Sequence, residues 1–104
     1  MEDLKKYEKP HLAKINESVK HQGIGGKYIV IERYGTMAYA LDMPFDQMTI
    51  GLYNFVSRYN MLEAKEDTKL YYGHVGTLGY FVAEDELLEE PKEVEWSEAC
   101  EYLQ

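Results

Sequence analysis

The residues that could do chemistry fall into four groups. The first is the stretch HQGIGGKYIVIERYGT, His21 to Thr36, where glycines run into a lysine beside an apolar segment. Backbone amides in such a loop cradle phosphate when the order is strand, G-x-x-x-x-G-K-[ST], helix. Counted back from Gly26 and Lys27, the first glycine would stand where His21 is, and Tyr28 follows Lys27 in place of Ser or Thr. The apolar segment also comes after the glycines instead of before them. GIGG therefore reads as a helix C-cap and a turn, not a phosphate loop.

The second group is His11, His21 and His74, which are scattered. No C-x2-C or H-x3-H spacing offers a metal a clustered ligand set. His74, between Gly73 and Val75, reads as a packed or solvated strand residue. The third is Cys100, whose thiolate Glu98 and Glu101 would disfavour; it reads as a small core residue. The fourth is the run EDELLEE, 84–90. Solvated carboxylates lack the burial or close partner that shifts a pKa for acid–base work. The sequence thus points to no catalytic residue, no cofactor and no metal, and the chain reads as non-enzymatic.

Charge narrows the partners. The chain of 104 residues, 45% of them apolar, suits one domain over 1–104. From Glu84 onward nine acidic residues face Lys92 alone, which accounts for the whole net charge of −8. This acidic C-terminal segment, 84–104, argues against direct nucleic-acid binding, where a basic face supplies most of the affinity. It suits a partner with a basic surface, and it also serves solubility. No apolar run approaches the ~20 residues that span a bilayer, so no membrane partner is expected. The N-terminal residues show no apolar signal core, and a lone cysteine makes no internal disulfide, which together favour the cytoplasm of the source cell or of a host cell.

The elements that would position these residues are read from periodicity. PHLAKINESVKHQ, 10–22, fits a helix with Leu12, Ile15 and Val19 on one face. KYIVIERYGTMAYALD and KLYYGHVGTLGYFVAE each read as a hairpin, turning at Gly35–Thr36 and at Gly76–Thr77. GTMAY and GTLGY, 41 residues apart, suggest an internal ββα duplication. A main helix follows the first hairpin, with Asp46 as N-cap, a Phe45–Ile50 staple, and Met48, Leu52, Phe55, Val56, Tyr59 and Leu62 on one stripe. Gly51 weakens it, a cost that close approach to the sheet would offset. PKEVEW, 91–96, reads as an edge strand, and a last helix runs from Ser97 to Leu103. The class is α+β: an antiparallel four- to five-stranded sheet from two hairpins with helices packed on it, in the order α-ββ-α-ββ-(β)-α.

Both faces of such a sheet are apolar. The face with Ala38, Ala40 and Gly79 admits the main helix, and the face with the tyrosines needs the N-terminal helix, a second subunit or a partner to cover it. Ten tyrosines favour recognition, because tyrosine joins apolar area to a hydroxyl. The residues expected to meet a partner are Tyr28, Tyr34, Tyr39, Tyr71 and Tyr80, with Glu84, Asp85, Glu86, Glu89 and Glu90. Three functions compete. The first is a protein-interaction module, in its sharper form a phage or mobile-element inhibitor whose acids mimic nucleic-acid phosphates in a basic groove. The second is a ligand binder or enzyme with a pocket at the tyrosine face and His74 or Arg33 as its handle. The third is a homodimer that buries the tyrosines.

Overall fold

The computed structural model describes residues 3–103, the side chain of His21 excepted. It is an α+β fold: one antiparallel five-stranded sheet and three helices. In chain order these are β1 (Lys5–Lys14), β2 (Tyr28–Thr36), α1 (Ala38–Asp42), α2 (Ile50–Arg58), β3 (Lys69–Val75), β4 (Leu78–Ala83), β5 (Lys92–Glu93) and α3 (Trp96–Ala99). Across the sheet the order is β4-β3-β2-β1-β5.

Two elements differ from the sequence reading. The expected helix over 10–22 is instead the end of strand β1, which lies between β2 and β5, followed by a bridge at Ile15, a turn and the start of a 3-10 turn over His21–Gly23. Core clusters also cover both faces of β1, so apolar residues occur on both sides and the two-residue period is lost. Ala13 and Ile15 join one core cluster, and Leu12 joins another with Val30, Val94 and Ala99. Pro10 is tolerated because the β1–β2 ladder is irregular between Lys6 and His11, and its carbonyl accepts from Val94.

The first hairpin is also absent. β2 runs straight through Gly35 and Thr36, which pair with Leu70 and Lys69 of β3. The segment after it, rich in alanine, methionine and leucine, takes its helical preference and forms α1. The first amides of that turn donate to the carbonyls of Thr68 and Glu66. GTMAY is thus a strand-to-helix junction while GTLGY is a hairpin turn, so the two segments are not structural repeats. The second hairpin has the register read from the sequence: Val75 faces Leu78, Gly73 faces Tyr80 and Tyr71 faces Val82. Gly76 supplies the positive φ, 62°, that a type II′ turn needs at its first central residue.

α2 packs where expected, with Leu52 and Phe55 against Leu70, Phe81 and Ala83. It is shorter than its apolar stripe. Thr49, not Asp46, caps it by accepting from the Leu52 amide, and the helix ends at Arg58, leaving Leu62 98% exposed. Phe45 and Ile50 are both exposed and form no staple. A Cβ on Gly51 would lie at ordinary contact, 3.7 Å from Phe81, so the sheet does not require glycine there. β5 is an edge strand of two residues within the expected stretch. α3 begins at Trp96, continues as a 3-10 turn over Cys100–Tyr102, and buries Ala99 while Cys100 is exposed.

The opposite face is closed by loops instead of a helix. Val19 and Ile24, from the β1–β2 connection, pack with Ile29, Ile31, Tyr71, Tyr80 and Val82. Leu87 packs on the same cluster. Because β4 and β5 lie at opposite edges, residues 84–91 must carry the chain from one edge to the other. They run beside the end of β1: Asn16 donates to the Glu86 carbonyl at 2.8 Å, and the Leu88 amide donates to Lys14 at 2.9 Å.

Candidate functional site

The acidic run is this crossover, and it lies over the tyrosine face. Between crossover and sheet is a cavity of about 600 Å³. Tyr7, His11 and Tyr71 supply its aromatic wall, and Glu84, Asp85, Glu89 and Glu90 its acidic side. Lys69 is the one lysine or arginine among its lining, against four carboxylates.

Three rings build the wall. Tyr7 stacks on His11 with centroids 3.7 Å apart and on Tyr34 at 4.4 Å. The β1–β2 irregularity permits this, because four residues between Lys6 and His11 face a single residue, Glu32, and Tyr7 is re-aimed over the face. Tyr71 lies deeper, 4% exposed. Burial first, then the neighbouring Tyr7, Glu84 and Glu90, push its pKa up to about 12.

The acids are not equivalent. Glu86 turns away from the cavity and forms a buried ion pair with Arg58, with side chains 11% and 6% exposed. Its carboxylate accepts from Arg58 Nε at 2.9 Å and Nη2 at 2.8 Å, and from the Ala83 amide at 3.0 Å. Arg58 Nη2 also donates to the Phe81 carbonyl at 2.7 Å. This pair ties the start of the crossover to the end of α2. Asp85 accepts from the Tyr59 hydroxyl at 2.6 Å, and burial followed by that bond raises the Tyr59 pKa. Glu84, Glu89 and Glu90 have no side-chain hydrogen bond or ion pair among the described residues.

The structure therefore joins part of what the sequence presents separately. Tyr71, Glu84, Asp85, Glu89 and Glu90 line one cavity, with Tyr34 behind the wall. Tyr80 is on the same face but buried in the core. Tyr28 and Tyr39 are elsewhere. Tyr28 leans on Tyr102 at 5.0 Å beside Lys14, on the face carrying α3. Tyr39 belongs to α1 and stacks on Phe81. Two causes separate them: the β2–β3 register shifts between Ile31 and Arg33, which swaps the sides of the strand, and the hairpin that would have paired Tyr39 is absent. Sequence reasoning misses Tyr7 because it places no strand before residue 28; it reads His11 as one of three scattered histidines, and Lys69 as the first residue of the second hairpin with no site role.

The polar handles proposed for a ligand pocket lie on the helix-bearing face. His74 Nδ1 is 3.3 Å from Glu32, and Arg33 borders a second cavity of about 700 Å³ with Tyr39, Tyr72 and Phe81. Neither lines the tyrosine-face cavity. Among the described residues, no group of three or more histidine, cysteine or acidic side chains is arranged to hold a metal ion, and no helix is long and apolar enough to cross a membrane.

Fold and site together define a small α+β domain with an acid-sided aromatic cavity beneath an edge-to-edge crossover. Set against protein families, curated proteins and solved structures, the chain matches none.

Proposed function

We propose that the protein is a non-enzymatic interaction module that binds a basic surface of a protein partner through the cavity under residues 84–91. One observation carries this reading: three carboxylates, Glu84, Glu89 and Glu90, stand unpaired beside an aromatic wall. Unpaired charges of one sign attract a partner of the other and orient its approach. Aromatic area with hydroxyl groups adds the contact energy that charge alone lacks. A free, exposed Cys100 suits a reducing compartment, and we place the module in the cytoplasm. An inhibitor that occupies a basic groove fits this surface. Glu86 contributes no free charge to it, so the mimicry rests on four acids instead of a line of five.

The test compares the native chain with Glu84→Gln/Glu89→Gln/Glu90→Gln, which leaves the Glu86–Arg58 pair in place. Both are used as bait, and each captured protein is then purified and titrated at rising salt. The reading expects a basic partner whose affinity falls steeply with salt and is lost with the triple variant. A partner that binds both baits equally, with flat salt dependence, refutes it.

A further inference from the structure

The tyrosine face carries another cavity, of about 300 Å³, toward the start of β1. Lys5, Tyr7, Tyr34, Lys69 and Tyr71 line it, with Asp3 as its one acid. Strand register builds it, because opposed residues of neighbouring strands share a face. Lys5 faces Tyr34, which faces Tyr71, so β1, β2 and β3 lay the three in one row. Lys69 faces Thr36 two residues along, on the same side. The two lysines therefore flank β2, one from β1 and one from β3. Among the described residues neither has an ion-pair partner, and the hydroxyls of Tyr34 and Tyr71 have no hydrogen bond. Tyr71 is only 4% exposed, yet no side-chain oxygen or nitrogen is both enclosed and unpartnered, so its hydroxyl opens on a cavity. Tyr71 and Lys69 border both this cavity and the acidic one. Carboxylates repel an anion from the acidic side, so an anion that reaches these two residues is left with the side that Lys5 borders.

We infer that this cavity binds the carboxylate of a small organic acid, its oxygens accepting from the Lys5 and Lys69 ammoniums and from the Tyr34 and Tyr71 hydroxyls. The inference goes beyond the interaction-module reading and does not rest on it. Three features favour a carboxylate. Two lysines against Asp3 leave the lining one net positive charge, which matches a monoanion better than a phosphate dianion. A carboxylate offers roughly four lone-pair sites, and two ammoniums with two phenols supply a donor for each. Every such bond is charge-assisted, the stronger kind. The volume suits a small molecule, at the lower end of the range for ligand pockets. Both faces of the Tyr7 ring are taken by His11 and Tyr34, so Tyr7 offers the ligand its edge alone. Asp3 is the opposing feature, a like charge that the acid must approach.

The experiment titrates the full chain at neutral pH with benzoate, benzamide, phenyl phosphate and an end-blocked Gly-Glu-Gly peptide, following amide and aromatic NMR shifts. Benzoate is expected to saturate shifts at Tyr34, Lys69 and Tyr71. Benzamide, the neutral isostere, should bind about ten-fold more weakly. Lys5→Gln/Lys69→Gln, a pair of surface changes, should weaken benzoate about ten-fold, and Asp3→Asn should tighten it about two-fold. Tyr71→Phe should weaken it about five-fold, the worth of one hydrogen bond, with an unchanged melting temperature because no internal bond is lost. Benzamide binding as well as benzoate, or indifference to the lysine pair or to Tyr71→Phe, overturns the inference. So does tighter binding of phenyl phosphate, which would make the ligand a phosphate, or of the peptide, which would make it a partner's side chain. If benzoate fails to bind while a basic partner still depends on Glu84, Glu89 and Glu90, this inference falls and the interaction module stands. If benzoate binds and no basic partner is captured, the interaction module falls and this inference stands.

Discussion

Arg58→Met tests what holds the crossover in place. The guanidinium and the Glu86 carboxylate are almost enclosed, and they share four hydrogen bonds of 2.7–3.0 Å with each other, Phe81 and Ala83. Removing the arginine leaves a buried carboxylate without its cation, which costs about 3–5 kcal/mol. That is a large part of the roughly 5–15 kcal/mol that holds a domain folded. Arg58→Met/Glu86→Leu removes both charges and should recover part of the loss. It should not recover all, because this pair also satisfies the Phe81 carbonyl and the Ala83 amide. Both groups project off the unpaired side of β4, away from β3, and each buried group left open costs about 1–3 kcal/mol. That side of β4 carries neither charge nor proline over LGYFVA. With the plug removed it becomes a template for a second strand. The assay is urea denaturation followed by far-UV circular dichroism, with size-exclusion chromatography at several protein concentrations. A single variant that loses under about 1 kcal/mol, or a double variant as stable as the native chain and monomeric throughout, would refute the reasoning.

Three further outcomes follow from the packing. Gly73→Ala should destabilise by about 2–3 kcal/mol, since its Cβ would strike the Val30 carbonyl and sit 2.7 Å from Ile31 Cα, whereas Gly79→Ala meets only the far end of the Tyr72 side chain, its hydroxyl and the ring carbons behind it, and should cost less than Gly73→Ala because that half-buried ring can swing aside where backbone cannot; thermal melts of the two variants check the contrast. Gly51→Ala should stabilise by a few tenths to about 1 kcal/mol, because helix propensity improves and the new methyl finds Phe81 at contact distance; a lowered urea midpoint would contradict this. Tyr71 titrates from 10.0 when unfolded to about 12 when folded, so folding favours its neutral form. Its contribution is complete below pH 10 and is lost as pH rises through about 12. Urea midpoints should therefore fall across that window, and Tyr71→Phe should flatten part of the fall.

The sequence was most legible where one side of an element faces solvent or a turn dictates its own chemistry. Gly76–Thr77 fixed the β3–β4 register residue by residue, and Gly79 rightly marked the face that admits α2, whose Leu52 and Phe55 pack there. It misled where burial is two-sided. Leu12, Ile15 and Val19 have helical spacing, yet they sit in two different clusters on opposite sides of β1. Gly35–Thr36 has the letters of a hairpin turn, but β3 offers β2 a full ladder, and long-range pairing overrides a local turn preference. The irregularity between Ile31 and Arg33 then moved Tyr28 away from Tyr34, which no alternation rule anticipates.

The union of the two candidate surfaces follows from strand order alone. Tyrosines on β1 to β3 and acids at 84–90 meet only because β4 and β5 occupy opposite edges, which forces the acidic run to traverse the face between them. No spacing within 84–90 encodes that route. Once it is taken, the division of labour among the acids has a physical basis. Glu86, at the start of the crossing, is within reach of α2 and is consumed by Arg58, which anchors the segment and shields part of the β4 edge. Glu89 and Glu90, further along, share the cavity lining with Lys69 but form no ion pair among the described residues and remain open. The residue that secures the acidic segment is therefore not one that greets a partner, and neutralising all five acids together would confuse loss of fold with loss of binding. Sparing Glu86 separates the two.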